Sequence, residues 1–239
     1  MDRVRSPWLI GFGLVAVAQL AFVVFPVPQL ADLIAVSILA PALAVWVWRV
    51  DGPKVLVLAL AFCAVGDVLG NPRRIGLDQS GLLLSVAAFA VAQACLIVLF
   101  VRSGALAALQ ASISGRQRWR SVVALLYLVA AVMMFWSIWG GLGPALRVAV
   151  GVYLLLLVGT ATTSLALDTW AGMGVALFAG SMALVAAEMV DGVATWHRLL
   201  IRLMYQLGLL LIAVAVVNRA LRLDRDMRRG RAQSEGCGT

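Results

Sequence analysis

The chain has 239 residues, of which 63% fall in the apolar set AVILMFWYC and 13% are charged; mean hydropathy is +1.01. Soluble domains carry about 25% charged residues, so this composition excludes a soluble globular enzyme, a disordered chain and a disulfide scaffold. The net charge of +8 is no sign of nucleic-acid binding, because the basic residues sit mainly between apolar runs and in the tail, where membrane topology accounts for them.

A helix crosses the hydrocarbon core with about 20 apolar residues. That rule predicts an all-α polytopic membrane protein, a single domain over 1–219 with eight transmembrane helices. In chain order the spans are 8–25, 30–48, 54–70, 80–102, 121–139, 144–166, 170–190 and 199–219. The first run lacks a following small-residue cleavage site and reads as a span. Pro26 and Pro28, Asp51-Gly52-Pro53, Asn71-Pro72 and Gly143-Pro144 supply the breaks between spans. The small, polar, basic stretch 103–120 is predicted to be a loop joining two four-helix halves. Residues 220–239 are predicted to be a basic tail that frays. The third and seventh spans share a faint likeness, Leu60 to Asp67 against Ala176 to Met182, of the kind an old duplication leaves.

Eight spans put both termini on one side. Fourteen of the nineteen basic residues then lie on that side, whereas Arg73, Arg74, Arg147, Arg198 and Arg202 lie on the other. The positive-inside rule places both termini in the cytoplasm, and the bacterial plasma membrane is the expected location.

Ionisable groups inside spans are costly and mark function or structural pairing. Asp67 leads them, one turn before the Asn71-Pro72 break and next to Gly66, whose lack of a side chain admits a close helix. Buried there, its carboxyl is a candidate general acid; the alternative is a rim pairing with Arg73 or Arg74. Glu188 and Asp191 close the seventh span on one face, and Glu188 is a second candidate carboxylate, with a solvated helix end as the alternative. Arg198, Arg202, Tyr205 and Gln206 share one side of the eighth span. Arg198 and Arg202, with Arg73 and Arg74 from another loop, are a candidate phosphate clamp, against the alternative of arginines that merely reach the headgroups. Gln93 reads first as a buried amide bonding across helices. Asp32 near the start of the second span could line the same cavity, but reads first as a helix-terminus charge.

Trp46, Trp48, Trp136, Trp139, Trp170 and Trp196 fall near span ends and predict an aromatic belt. Cys63, Cys95 and Cys237 lie too far apart for a disulfide framework or a metal site. One histidine, His197, cannot build a histidine metal centre, and no nucleotide or hydrolase motif occurs. No cofactor is expected.

Three stretches carry a family resemblance. Ala59-Leu60-Ala61-Phe62-Cys63-Ala64-Val65-Gly66-Asp67 resembles the "AL-x-FS-x-x-GD" helix of the YhhN family of eight-helix membrane proteins. Gly81 to Phe100 resembles its following helix, and Gly174 to Met182 resembles its "GA-x-LF-x-x-SD" segment. The chain departs from the family at Met182, where a second aspartate is usual, and at Gln93, where histidine is usual. It departs again at Leu96, where tyrosine is common, and at Val36-Ser37, where Lys-Pro is usual. Characterised members are lysoplasmalogenases, so the resemblance implies hydrolysis of the vinyl ether of a lysoplasmalogen by carboxylic general acid catalysis. It makes a membrane lysolipid the expected partner. Asp67 and Glu188 are then the catalytic candidates, and Arg73, Arg74, Gln93, Arg202, Tyr205 and Gln206 the substrate-binding ones. The departures raise a second expectation, a member without catalysis that binds or senses a lipid. A small-solute transporter is a third, weaker one, since no pair of spans shows the interruption of discontinuous helices.

Overall fold

The computed structural model describes residues 7–25, 28–70, 79–113, 118–191 and 195–236. These are helical apart from short connections: α1 (Pro7–Val24), α2 (Gln29–Arg49), α3 (Lys54–Leu69), α4 (Gln79–Arg102), α5 (Ala105–Ile113), α6 (Arg118–Ile138), α7 (Pro144–Leu167), α8 (Thr169–Asp191) and α9 (Thr195–Gly236). Six of them are long and apolar enough to cross a membrane, namely α2, α4, α6, α7, α8 and α9. The apolar part of α1 (Trp8–Val24) is shorter, and α3 with 16 residues rises only about 24 Å against a hydrocarbon core of about 30 Å. Of the eight expected spans, six therefore have full crossing length.

Two expectations are corrected. The stretch 103–120 contains the helix α5. Gly104, at φ 94°, takes a left-handed conformation that glycine adopts without strain; it turns the chain after α4, and α5 then packs on α7 with Ala105 fully buried. Nor does the helix stop near residue 219: α9 has 42 residues, roughly 63 Å of helix. No proline or glycine interrupts 209–229, so nothing local ends the hydrogen-bond ladder there.

The helices close a ring. In order around it, α1 packs on α2, α2 on α3, α3 on α4, α4 on α7, α7 on α8, α8 on α9, and α9 returns to α1. Leu39, Leu43, Trp46, Leu56, Phe100 and Val217 are among the side chains buried in the shared core. Helix α6 lies outside the ring against α7 and α8 and leaves Met133, Trp136 and most of its other apolar side chains exposed, as suits a lipid-facing helix. Trp48, Trp136, Trp139, Trp170 and Trp196 are exposed near helix ends as an aromatic belt requires. Trp46 is not, at 1% exposure. Two residues away from Trp48, it lies about 200° around α2 and so points to the core.

The tightest crossing joins α8 to α9. A Cβ on Gly174 would lie 2.9 Å from the Gly208 carbonyl oxygen and from Ile212 N, and one on Gly208 would lie 2.8 Å from the Gly174 carbonyl. Backbone lies against backbone, the small-residue contact that lets membrane helices approach. On the cytoplasmic side expected from charge, Arg120 donates to the Ala166 carbonyl at 2.9 Å and Arg219 donates to Leu167 and Ser103 carbonyls, each at 3.3 Å. Both cations thus satisfy carbonyls at the C-terminus of α7. Asp168 then starts α8 by accepting from the N–H groups of Trp170 and Ala171 at 2.8 and 3.1 Å.

Gly208→Ala should lower stability by about 2 kcal/mol, since a backbone oxygen cannot move aside as a side chain would. Gly13→Ala, where a Cβ meets nothing within 4 Å, should leave it unchanged or slightly raised. Thermal unfolding of both variants in detergent checks the contrast.

Candidate functional site

The last turn of α3 is gripped by α4. Ser85 donates to the Gly66 carbonyl at 2.8 Å, and the Phe89 ring covers Gly66 so closely that a Cβ there would fall 2.7 Å from it. Phe89 meets Phe178 of α8 edge to face with centroids 6.3 Å apart, and Phe178 stacks obliquely on Tyr205 of α9 at 5.5 Å. This row of rings begins one turn from the Gly174/Gly208 crossing, so the crossing sets the height of Tyr205 against α3. The Tyr205 hydroxyl donates to Asp67 Oδ2 at 2.7 Å.

Asp67 and Tyr205 lie on the wall of a cavity of about 350 Å³. The lining comes from the ends of α1, α3, α6 and α8 and the starts of α2, α4, α7 and α9, so the cavity sits at the bundle end opposite the N-terminus. Its wall is divided. Gln19, Asp67, Ser85, Tyr153, Arg202 and Tyr205 form a polar corner, with Glu188 at the rim. Opposite, Met134 and Ile138 of α6, Leu142, Leu146 and Val150 leading into α7, and Ala186 of α8 form an apolar sleeve, partly a small core of its own beside the main one.

Two buried links knit the polar corner. Arg202 donates to both carboxylate oxygens of Asp32, at 2.6 and 2.9 Å, and to the Gln19 carbonyl at 3.2 Å. Gln206 donates to the Gln19 side-chain oxygen. Helices α1, α2 and α9 are thereby joined at the level of the cavity.

The structure brings together Asp67, Glu188, Arg202 and Tyr205 around one space. Gln206 stands behind that wall, where it holds Gln19. Gln93, fully buried, lies away from the cavity between α4 and α7, and its main-chain carbonyl accepts from Thr160 at 3.4 Å. Arg73 and Arg74, along with Cys237, fall outside the described residues. The expected phosphate clamp at Arg202 is altered by its fork-to-fork pairing with Asp32, whose 7% exposure marks it as a buried partner rather than a simple helix-end charge. Glu188 Oε1 lies 3.8 Å from Arg198 Nε at the exposed rim.

Sequence reasoning missed Gln19 and Tyr153, although each is a lone polar side chain in an otherwise apolar run. It weighed Asp32 and Arg202 separately; that intramembrane charges pair with one another was the available signal. Two departures from the family pattern, Val36 and Met182, line the cavity. Among the described residues, no three His, Cys, Asp or Glu side chains converge as a metal would need.

A ring of apolar helices around a one-ended, half-polar cavity defines an integral membrane helical protein with an internal cavity. The chain belongs to the YhhN family, whose family model matches residues 31–216 and so takes in all of the cavity wall except Gln19. Comparison with curated proteins and with solved structures gave no match.

Arg202→Met should destabilise the protein by about 3 kcal/mol by stranding the Asp32 carboxylate. Asp32→Asn together with Arg202→Met should recover a large part of that loss. A double-mutant cycle on thermal stability reads the coupling directly.

Proposed function

We propose that this protein hydrolyses the vinyl ether bond of a lysoplasmalogen, releasing a fatty aldehyde and a glycerophospho-base. The observation that carries the reading is the Asp67 carboxyl, turned into a cavity whose opposite wall is an apolar sleeve. Membership of the YhhN family supports it. The chemistry suits the parts: a vinyl ether is protonated on carbon, which leaves an oxocarbenium ion for water to trap. Asp67 delivers that proton, held in place by the Tyr205 hydroxyl. Glu188 takes the proton from the attacking water, and the hemiacetal so formed breaks to aldehyde and alcohol. One water is consumed, and both carboxyl groups return to their starting state once a proton passes back to Asp67. The sleeve takes the hydrocarbon chain, and entry from the bilayer keeps the acid away from bulk water.

In the same proposal α1 and α3 complete eight crossings. Both termini are cytoplasmic in a bacterial plasma membrane, which puts the cavity in the outer-leaflet half. The headgroup lies at the rim near Arg198, since Arg202 is already paired.

A second reading rests on Val36 and Met182. Both line the cavity with apolar side chains where relatives carry polar ones, which favours a protein that binds a lysolipid without cleaving it. The two readings part on one experiment. Purified protein given a lysoplasmalogen should release fatty aldehyde, and Asp67→Asn should cut that rate by about 100-fold or more. Lysolipid binding with no aldehyde from either protein decides for the second reading, and equal turnover in both removes Asp67 from the mechanism.

A further inference from the structure

The helices that enclose the cavity are firmly joined, except along one seam. Gly174 and Gly208 bring α8 and α9 together backbone to backbone, and the Arg202–Asp32 pair ties α9 to α2. Helices α7 and α8 meet tightly where Asp168 joins them, since a Cβ on Gly172 would lie 2.9 Å from the Leu165 side chain. At the cavity end the same two helices both line the open space. Helix α6, packed on each of them, closes the wall there with Met134 and Ile138.

The two neighbours hold α6 unequally. Three links fasten it to α7 from one end to the other. Arg120 donates to the Ala166 carbonyl at 2.9 Å, and the Phe135 ring lies 3.7 Å from where a Cβ on Gly151 would stand. Beyond the last turn of α6, the Arg147 guanidinium lies 4.5 Å over the Trp139 ring, and its Nε donates to the Trp139 carbonyl at 3.3 Å. Among the described residues no hydrogen bond or ion pair joins α6 to α8. What joins them beside the cavity is the small separate core that holds Ile138 and Ala186, with Met134 packed against it.

Aliphatic contacts at the lipid-facing side of a membrane protein are weakly held, because a hydrocarbon chain offers each side chain the same dispersion contacts that it loses. We propose that the seam between α6 and α8 is a lateral portal, through which a hydrocarbon chain passes between the bilayer and the cavity by parting Ile138 from Ala186. This rests on the lipid reading above and adds the route to it. The seam opens directly on the apolar sleeve. Parting it disturbs neither the Gly174/Gly208 crossing nor the bond from Tyr205 to Asp67, so the polar corner keeps its geometry while the chain slides in.

The test uses the full-length protein in lipid nanodiscs, with Cys95→Ser and Cys237→Ser as background. Ile138→Cys with Ala186→Cys is bridged by a short bis-methanethiosulfonate and released by dithiothreitol, the bridge being read by intact mass. The probe is tritiated 1-O-hexadecyl-glycerophosphocholine, which resists cleavage. Bridging should slow its association by about 10-fold or more relative to the same protein after reduction. Bridging Phe135→Cys with Gly151→Cys, across α6 and α7, should leave the rate unchanged. Ile138→Ala alone should raise association and dissociation together, with little change in affinity. Equal association in bridged and reduced forms overturns the portal, as does equal slowing by the α6/α7 bridge, or failure of the seam pair to bridge at all. If the reduced seam pair binds no probe, Ile138→Ala decides, and a rise in dissociation alone overturns the proposal. Absence of binding by the background protein overturns the lipid reading and the portal with it. Binding through the seam without aldehyde release from a lysoplasmalogen keeps the portal and removes only the hydrolysis.

Discussion

The contact on which the site depends is the meeting of two backbones, α8 at Gly174 and α9 at Gly208. Neither position admits a side chain, so the helices approach until main chain touches main chain. In a bilayer, where hydrophobic burial offers little to hold one helix on another, such close packing supplies the attraction. One turn along, Phe178 and Tyr205 are pressed together, and Phe178 in turn meets the ring that covers Gly66. The approach of Tyr205 to Asp67 is thus set by a glycine contact one turn away from Tyr205. Gly66 repeats the device on α3, where the missing side chain is replaced by the face of Phe89.

The charges of the polar corner are balanced within the protein. Arg202 and Asp32 neutralise one another in a geometry that satisfies both ends of the fork, as a pair withdrawn from water must. The corner therefore presents hydroxyl and carboxyl groups rather than a free cation.

The helical architecture was legible in the sequence because apolar length is a strong signal in a membrane protein. The expected span at 80–102 differs from α4 by one residue at one end. The two misread elements differ in cause: α5 is largely apolar but, with 9 residues, too short to read as a span, whereas beyond residue 219 charged side chains end the apolar run without ending the helix. Helix α5 is carried by packing on α7, and α9 beyond residue 219 by a stretch free of proline and glycine as far as Arg229. Within the site, Asp67 and Tyr205 were found singly, but their bond needs knowledge of which helices are neighbours. The same holds for Asp32 with Arg202, 170 positions apart in the chain. Gln19 and Tyr153 went unnoticed because one polar side chain in an apolar helix is more often structural than functional, and only burial and partners tell the two apart.

Helix α9 runs without a break from the rim beside Trp196, past Tyr205 and Gly208, to Arg219 and the arginines beyond it. It behaves as a torsion rod. One residue of slip along a helix turns it by about 100°, enough to swing the Tyr205 hydroxyl off Asp67 altogether. The bonds from Arg219 to the Leu167 and Ser103 carbonyls hold that rotation about 21 Å along the helix from Tyr205. A turn imposed on the basic end of the helix would therefore reach the cavity with no change in any residue between.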